Sequence, residues 1–278
     1  MTLEGANHAA RTVLREAGIE EFELDAWLLM QHICNIDKSY YYLHLKEDMD
    51  EEQEQAYEVL YKKRAERVPL QYITGVQEFM GLTMKVNSNV LIPRQDTESL
   101  VEEALKVIKP GMHVLDMCTG TGCIIISLLK YAKDIVGYGS DSSKQALLVA
   151  KENAKINQVE VNLIRSDVFL NIAGTFDLIV ANPPYIPTNQ IEALMPEVAH
   201  FEPVEALDGK KDGLYFYKKI IAECKDYLKP EGYLYFEIGN DQSNTVASMM
   251  EQVGFLDIQV RKDMSGLDRV VCGRRTNV

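Results

Sequence analysis

The 278-residue sequence predicts an α/β protein: a doubly wound, mostly parallel sheet preceded by a small all-helical domain. Three observations carry that expectation. Between residues 6 and 67 apolar side chains recur at helical spacing. From His113 onward short apolar runs alternate with helical patterns, the order that builds parallel strands with crossover helices. Between the two regions, residues 77–86 alternate in polarity around Met80-Gly81, which reads as a β-hairpin.

In the helical region the apolar stripes are Leu24, Trp27, Leu28, Gln31 and His32 bordering Ile33, then Ala56, Val59 and Leu60 with Lys63 outside. Gly18 can end the first helix as a C′ glycine, a second break falls at 35–37, and Asp50 suits the N-cap of a helix over 51–66 with an acidic first turn. The sum is a bundle of about four helices, with at least one of Tyr40, Tyr41 and Tyr42 in its core. Residues 69–75 open an extended connector. A helix over 97–108 is closed by Pro110-Gly111. Strands are expected over 113–116, 135–140, 161–164, 177–181, 233–238, 256–260 and 269–273, a seven-stranded mixed sheet, with helices at 122–131, 142–156, 213–228 and 242–252. The last two strands have no helix between them, which permits an antiparallel hairpin at the sheet edge. The expected domains are 1–70, a hairpin-bearing connector over 71–92, and an α/β domain over 93–278.

Composition narrows the function. No run approaches the roughly 18 apolar residues of a membrane span, and residues 1–19 are too charged for a signal peptide, so a cytoplasmic location with no membrane partner is expected. Cys34, Cys118, Cys123, Cys224 and Cys272 are odd in number and form no C-x-x-C pair, and the five histidines are scattered, so neither a disulfide framework nor a metal site is indicated. The formal charge of −13 repels a phosphate backbone, which makes nucleic acid a poor default partner. Lys62-Lys63-Arg64 with Arg67 is the local exception, and its simplest reading is a solvated helix C-terminus.

The chemistry concentrates at strand ends. Asn182-Pro183-Pro184-Tyr185 follows the apolar run 176–181, at the carboxyl end of a buried strand where open α/β sheets bind ligands. Asn182 offers a carbonyl acceptor, Pro183 and Pro184 lack N–H groups and stiffen the backbone, and Tyr185 adds a flat face. Such a site suits a planar nitrogen with two hydrogens, in a carboxamide or a nucleobase. Upstream, Asp116-Met117-Cys118-Thr119-Gly120-Thr121-Gly122 is a strand end entering a glycine turn. The third glycine of a nicotinamide fingerprint is replaced by Ile125, and no Gly-Lys-Ser/Thr follows, so neither nicotinamide nor nucleoside triphosphate is supported. Asp141 stands where a ribose diol is held, Asp116 suits the amino group of a cationic ligand, and Ser166-Asp167-Val168 can face an adenine. Three acidic strand ends without a phosphate-binding lysine describe S-adenosylmethionine.

With these motifs the chain resembles the release-factor glutamine N5-methyltransferase family. The resemblance covers nearly the whole length and includes residues 69–75, Leu91-Ile92-Pro93-Arg94-Gln95-Asp96-Thr97-Glu98, the glycine turn, Asn182 to Tyr185, Phe201-Glu202-Pro203, Ala206-Leu207-Asp208-Gly209 and Asp268-Arg269. It implies a Rossmann-like class I methyltransferase domain, and a helical N-terminal domain that docks a protein substrate: peptide chain release factors, at the glutamine of a Gly-Gly-Gln motif. It further implies that Thr119, Gly120, Thr121 and Gly122 line the methionine part of the cofactor, Asp141 the ribose, and Asp167 with Val168 the adenine. Asp116, Cys118, Ser142 and Asn182 complete the cofactor set, and Asn182, Pro183, Pro184 and Tyr185 hold the acceptor. Two residues depart from the family pattern: Cys118 stands where a glycine usually opens the turn, and Gln95 where a proline commonly follows Arg94. The alternatives are a glutamine methyltransferase acting on a ribosomal protein and a methyltransferase of exocyclic amino groups in DNA or RNA.

Overall fold

The structure is a computed structural model that describes residues 1–276. Its contacts divide the chain into a helical unit, Met1–Gly75 with Met195–Phe201, and a second unit that takes Val76–Leu194 and the chain from Glu202 on.

The helical unit contains α1 (Leu3–Glu16), α2 (Phe22–Cys34), α3 (Lys38–Leu43), α4 (Glu51–Ala65) and α5 (Leu70–Thr74). Asp50 caps α4 as expected, accepting from the Glu52 and Gln53 amides at 2.9 and 3.4 Å. Gly18 follows the end of α1 at φ 73°, a left-handed position that glycine occupies without strain. Leu14, Leu29, Met30 and Tyr57 lie at the centre of the core, and the Tyr57 hydroxyl donates to the Ala26 carbonyl at 2.9 Å.

The buried faces differ from the expected stripes. Leu24 and Val59 are exposed, whereas α2 buries Asp25, Ala26, Trp27, Leu29 and Met30, and α4 buries Tyr57, Tyr61 and Arg64. The rotation follows from charge pairing: Arg64 Nε meets Asp25 Oδ2 at 2.7 Å, and Arg64 Nη2 meets Glu197 Oε1 at 2.9 Å. Glu197 lies on Pro196–Phe201, α9 in chain order, and also holds Arg67 at 2.8 Å. The basic cluster is thus split, with Lys62 and Lys63 exposed but Arg64 inside. Of the three tyrosines none is fully buried, and Tyr41 alone packs partly against this core.

The second unit opens with the hairpin β1 (Val76–Phe79) and β2 (Leu82–Lys85), whose turn residues Met80 and Gly81 both have positive φ. Two buried asparagines of α8 (Lys144–Ile156) and its C-cap hold it. Asn153 accepts from the Lys85 amide at 2.6 Å and donates to the Lys85 and Thr121 carbonyls at 3.0 Å each, and Asn157 donates to the Thr83 carbonyl at 3.0 Å.

The main sheet contains β3 (His113–Met117), β4 (Val136–Asp141), β5 (Val161–Arg165), β6 (Phe176–Ala181), β7 (Leu228–Glu237), β8 (Phe255–Lys262) and β9 (Asp268–Arg275) in the order β5-β4-β3-β6-β7-β9-β8. Pairing is parallel as far as β7 and antiparallel for β9 and β8, so the terminal hairpin forms with β8 at the edge. Side chains alternate between faces: Leu115, Met117, Ile179 and Phe236 join one core, Val114, Leu178, Val180 and Tyr235 the other. Both faces are covered, by α6 (Glu98–Leu105), α7 (Cys123–Tyr131) and α8, and by α10 (Tyr215–Glu223) and α11 (Ser243–Gln252).

One boundary moved substantially. The helix expected over 213–228 ends at Glu223, a 3₁₀ turn follows, and Leu228 already belongs to β7. The register jumps from Phe176 opposite Leu228 to Leu178 opposite Tyr233, so residues 229–232 loop out of the strand, with Glu231 at φ 65°. Pro230 and Gly232 signal a turn from sequence alone, and nothing local announces that the strand resumes on both sides of it.

Candidate active site

The chain leaves β3 for β4 on one side and later reaches β6 on the other, so the carboxyl ends of adjacent β3 and β6 form the switch-point crevice. After β3 the turn runs through three left-handed residues, Cys118 (φ 61°), Gly120 (φ 54°) and Gly122 (φ 80°), into α7. The left-handed φ favours glycine at 122, and an added Cβ there would also crowd Ile126 Cδ1 at 2.9 Å and Ala150 Cβ at 3.2 Å. Cys118 adopts the same backbone region with a Cβ, at a cost of about 1–2 kcal/mol, and burial pushes its thiol well above the usual range.

Asp116 is fully buried beneath this turn, and its Oδ2 accepts from the Thr119 hydroxyl at 2.5 Å and the Ile125 amide at 3.3 Å. Burial raises its carboxyl to about 7. It is not among the residues lining the cavity, and through Oδ2 it braces the turn. Its Oδ1 has no partner among the described residues.

The cavity wall brings together Cys118, Gly120, Asp141, Ser142, Asp167, Val168, Asn182 and Pro184, with Phe216 of α10 added. Thr119, Thr121, Gly122, Pro183 and Tyr185 lie off it. Asp141 Oδ2 accepts from the Gly120 amide at 2.9 Å and Oδ1 from the Ser143 amide at 2.8 Å, which fixes the carboxylate while leaving each oxygen a lone pair for a diol. Burial raises the Asp141 carboxyl above its ordinary value. Asp167 is exposed and pairs with Lys219 at 3.0 Å. Val168 sits at φ 51°, a strained position for a β-branched residue, with its carbonyl accepting from Ser166 Oγ at 2.7 Å. Among the described residues no lysine or arginine lines the cavity. The donor set therefore fits an uncharged-to-cationic nucleoside ligand and disfavours a phosphorylated one.

On the opposite lip, Asn182 directly follows β6, and its Nδ2 donates to Thr97 Oγ1 at 3.4 Å. Thr97 ends the 3₁₀ turn Gln95–Thr97. The loop behind Tyr185 is packed backbone on backbone: a Cβ at Gly209 would meet Tyr185 Cα at 2.8 Å, and one at Gly213 would clash with the Tyr185 carbonyl oxygen. The same carbonyl accepts from Gln242 Nε2 at 3.0 Å. Burial, followed by the Glu237 charge, pushes the Tyr185 hydroxyl up to about 12. Glu202 accepts from the Ile92 amide at 3.1 Å and is ion-paired to Arg94, tying the Phe201-Glu202-Pro203 segment to residues 91–98. Arg269 bridges Asp96 and Asp263, at 3.0 and 3.1 Å. Phe216, Gln242 and Glu237 were not singled out in the sequence. Glu237 carries the one usable signal, a carboxylate at the end of an expected strand.

Residues 6–75 match the PrmC N-terminal domain model, and residues 95–199 match the methyltransferase small domain. A release factor glutamine methyltransferase of Geobacter sulfurreducens is 42% identical over 265 residues, covering 95% of this chain and 93% of the relative. The chain belongs to the release factor glutamine methyltransferase family. A second member, from Clostridium acetobutylicum, is 37% identical over 282 residues and 99% of both chains. Among solved structures, a methyltransferase from Pyrococcus furiosus superposes with a TM-score of 0.54 at 16% identity, over 71% of this chain and 91% of that one, which identifies the shared fold.

Proposed function

We propose that this member of the release factor glutamine methyltransferase family transfers a methyl group from S-adenosylmethionine to the side-chain amide nitrogen of the glutamine in the Gly-Gly-Gln motif of peptide chain release factors, in the cytoplasm where translation terminates. One observation carries the reading: Asn182, just after β6, and Cys118 and Gly120 of the glycine turn, just after β3, share one cavity wall across the switch point.

Asp141 would hold the ribose, Val168 and Phe216 the adenine, and Gly120 the methionine part. When bound, this cofactor supplies a methyl group on a cationic sulfur, already activated for displacement. The acceptor is the difficult partner, because an amide nitrogen's lone pair is delocalised. Asn182 Oδ1 and the Pro183 carbonyl would accept both N–H hydrogens, turning the nitrogen toward the donor and enriching it as charge develops. Tyr185, kept neutral, would cover the amide plane. The nitrogen sheds a proton to solvent after methylation, when it is strongly acidic, so no strong general base is required. The helical unit would dock the protein substrate, offering a groove lined by Glu23, Trp27, Tyr41 and Tyr42. Removing residues 1–67 should then raise KM for whole release factor and leave cofactor affinity intact.

Asn182→Ala tests the central role. Cofactor affinity should stay within a few fold while methyl transfer falls by about 10²-fold or more, as for loss of a transition-state hydrogen-bonding group. Unchanged turnover would remove Asn182 from the mechanism.

A further inference from the structure

A carboxylate that the reaction does not need lies behind Asn182. Glu237 ends β7 and is 1% exposed. Ala181 pairs with Phe236, and continuing that parallel register by one residue sets Asn182 beside Glu237. Thr97 Oγ1 accepts from Asn182 Nδ2 at 3.4 Å, and both side chains favour the ionised form of the Glu237 carboxylate, whose Oε2 has no partner among the described residues. An ionised carboxylate only accepts. The Asn182 Nδ2 group already faces Thr97, the orientation an acceptor-only carboxylate beside it favours, and its Oδ1 is left for the acceptor.

We propose that Glu237 is a positioning residue: it fixes which end of the Asn182 carboxamide meets the substrate amide. This rests on the reading of Asn182 given above. A reversed Asn182 would present an NH2 group to the substrate's NH2 group, two donors facing each other, and the acceptor would lose its orientation.

Protonation should reverse the device. Burial raises the Glu237 carboxyl to about 7, opposed by the Thr97 hydrogen bond, the Arg269 charge and the Asn182 hydrogen bond, while Asp96 adds to the rise. Cys123 of α7, Tyr185 and Tyr217 of α10 are the remaining titratable neighbours, and burial holds all three neutral through this range. A protonated Glu237 becomes a donor and can attract Asn182 Oδ1, so turnover should fall as pH drops through about 7, the folded value.

The test compares E237Q, E237L and N182A with the parent enzyme, measuring kcat and KM for unmethylated release factor across pH, with cofactor affinity by calorimetry. Glutamine can still accept through Oε1, so E237Q should retain turnover within about fivefold in alkaline buffer and lose the acid fall, while E237L should lower kcat by about tenfold or more with cofactor affinity unchanged. An acid fall in E237Q matching the parent's, or parental kcat in folded E237L, overturns the proposal. If E237L does not fold, the E237Q profile decides alone. Parental turnover in N182A overturns the underlying reading of Asn182; a defective N182A beside unaffected Glu237 variants overturns the positioning role only.

Discussion

Gly209→Ala should slow methyl transfer without touching a residue of the cavity wall. Gly209 lies outside the left-handed region, so an added methyl carries no backbone strain. Its whole effect is steric: the new Cβ meets Tyr185 Cα and C at 2.8 Å and Gly213 Cα at 2.7 Å, against ordinary contact from 3.4 Å. All are backbone atoms, so no flexible side chain can yield. The loop that carries Asn182 to Tyr185 must move by about 0.6 Å or the Gly209 strand of the loop must give way, with a stability loss of about 1–3 kcal/mol for the overpacking. A misplacement of about 1 Å can cost about 10²-fold in rate, so a shift of this size should lower kcat by about tenfold, or roughly 1.4 kcal/mol of barrier. Cofactor affinity should stay parental, because Asp141, Gly120 and Val168 are untouched. Gly174→Ala is the control: at φ +86° with nothing within 4 Å, it carries left-handed strain alone and should destabilise without changing kcat. Steady-state kinetics with calorimetric cofactor binding reads both. Parental kcat in a folded Gly209→Ala enzyme, or cofactor affinity lost in proportion to kcat, would refute the reasoning.

Asn153→Ala should lower stability by about 3 kcal/mol in urea unfolding, because the Lys85 amide and carbonyl and the Thr121 carbonyl lose their partner in a buried site; a loss below about 1 kcal/mol would show that the hairpin clamp is dispensable. Asp116 gives a pH signature. Its folded value of about 7 exceeds the ordinary 3.8, so between them the native state binds more protons than the unfolded one, and stability falls as pH rises through that window. Asp116→Asn keeps an oxygen for Thr119 and Ile125 and should flatten this slope by up to about 1.4 kcal/mol per pH unit; identical slopes in both proteins would contradict the assignment.

Local pattern made the sheet legible, because buried parallel strands such as 178–181 are unbroken apolar runs and the glycine turn and Asn182 to Tyr185 sit at their ends. What stayed hidden depends on partners distant in sequence. Asp25 is buried because Arg64 comes to it from 39 residues away, and that pairing rotated the faces of α2 and α4. Pro196–Phe201 joins the helical unit through Glu197, an allegiance that no propensity encodes. The place of Asp116 at a strand end does not announce that its Oδ2 holds Thr119 and the Ile125 amide of α7. Glu237 looks like one more strand residue in the sequence, since only the parallel pairing of β6 with β7, continued one residue past Ala181 and Phe236, sets it beside Asn182.

The central claim is a methyl transfer to one glutamine on a protein. Incubating the enzyme with methyl-labelled S-adenosylmethionine and purified release factor, beside the same factor with alanine in place of the Gly-Gly-Gln glutamine, tests it directly. Label should enter the first factor as a single N5-methylglutamine and be absent from the second. Equal labelling of the alanine variant, or label found only in added nucleic acid, would contradict the account.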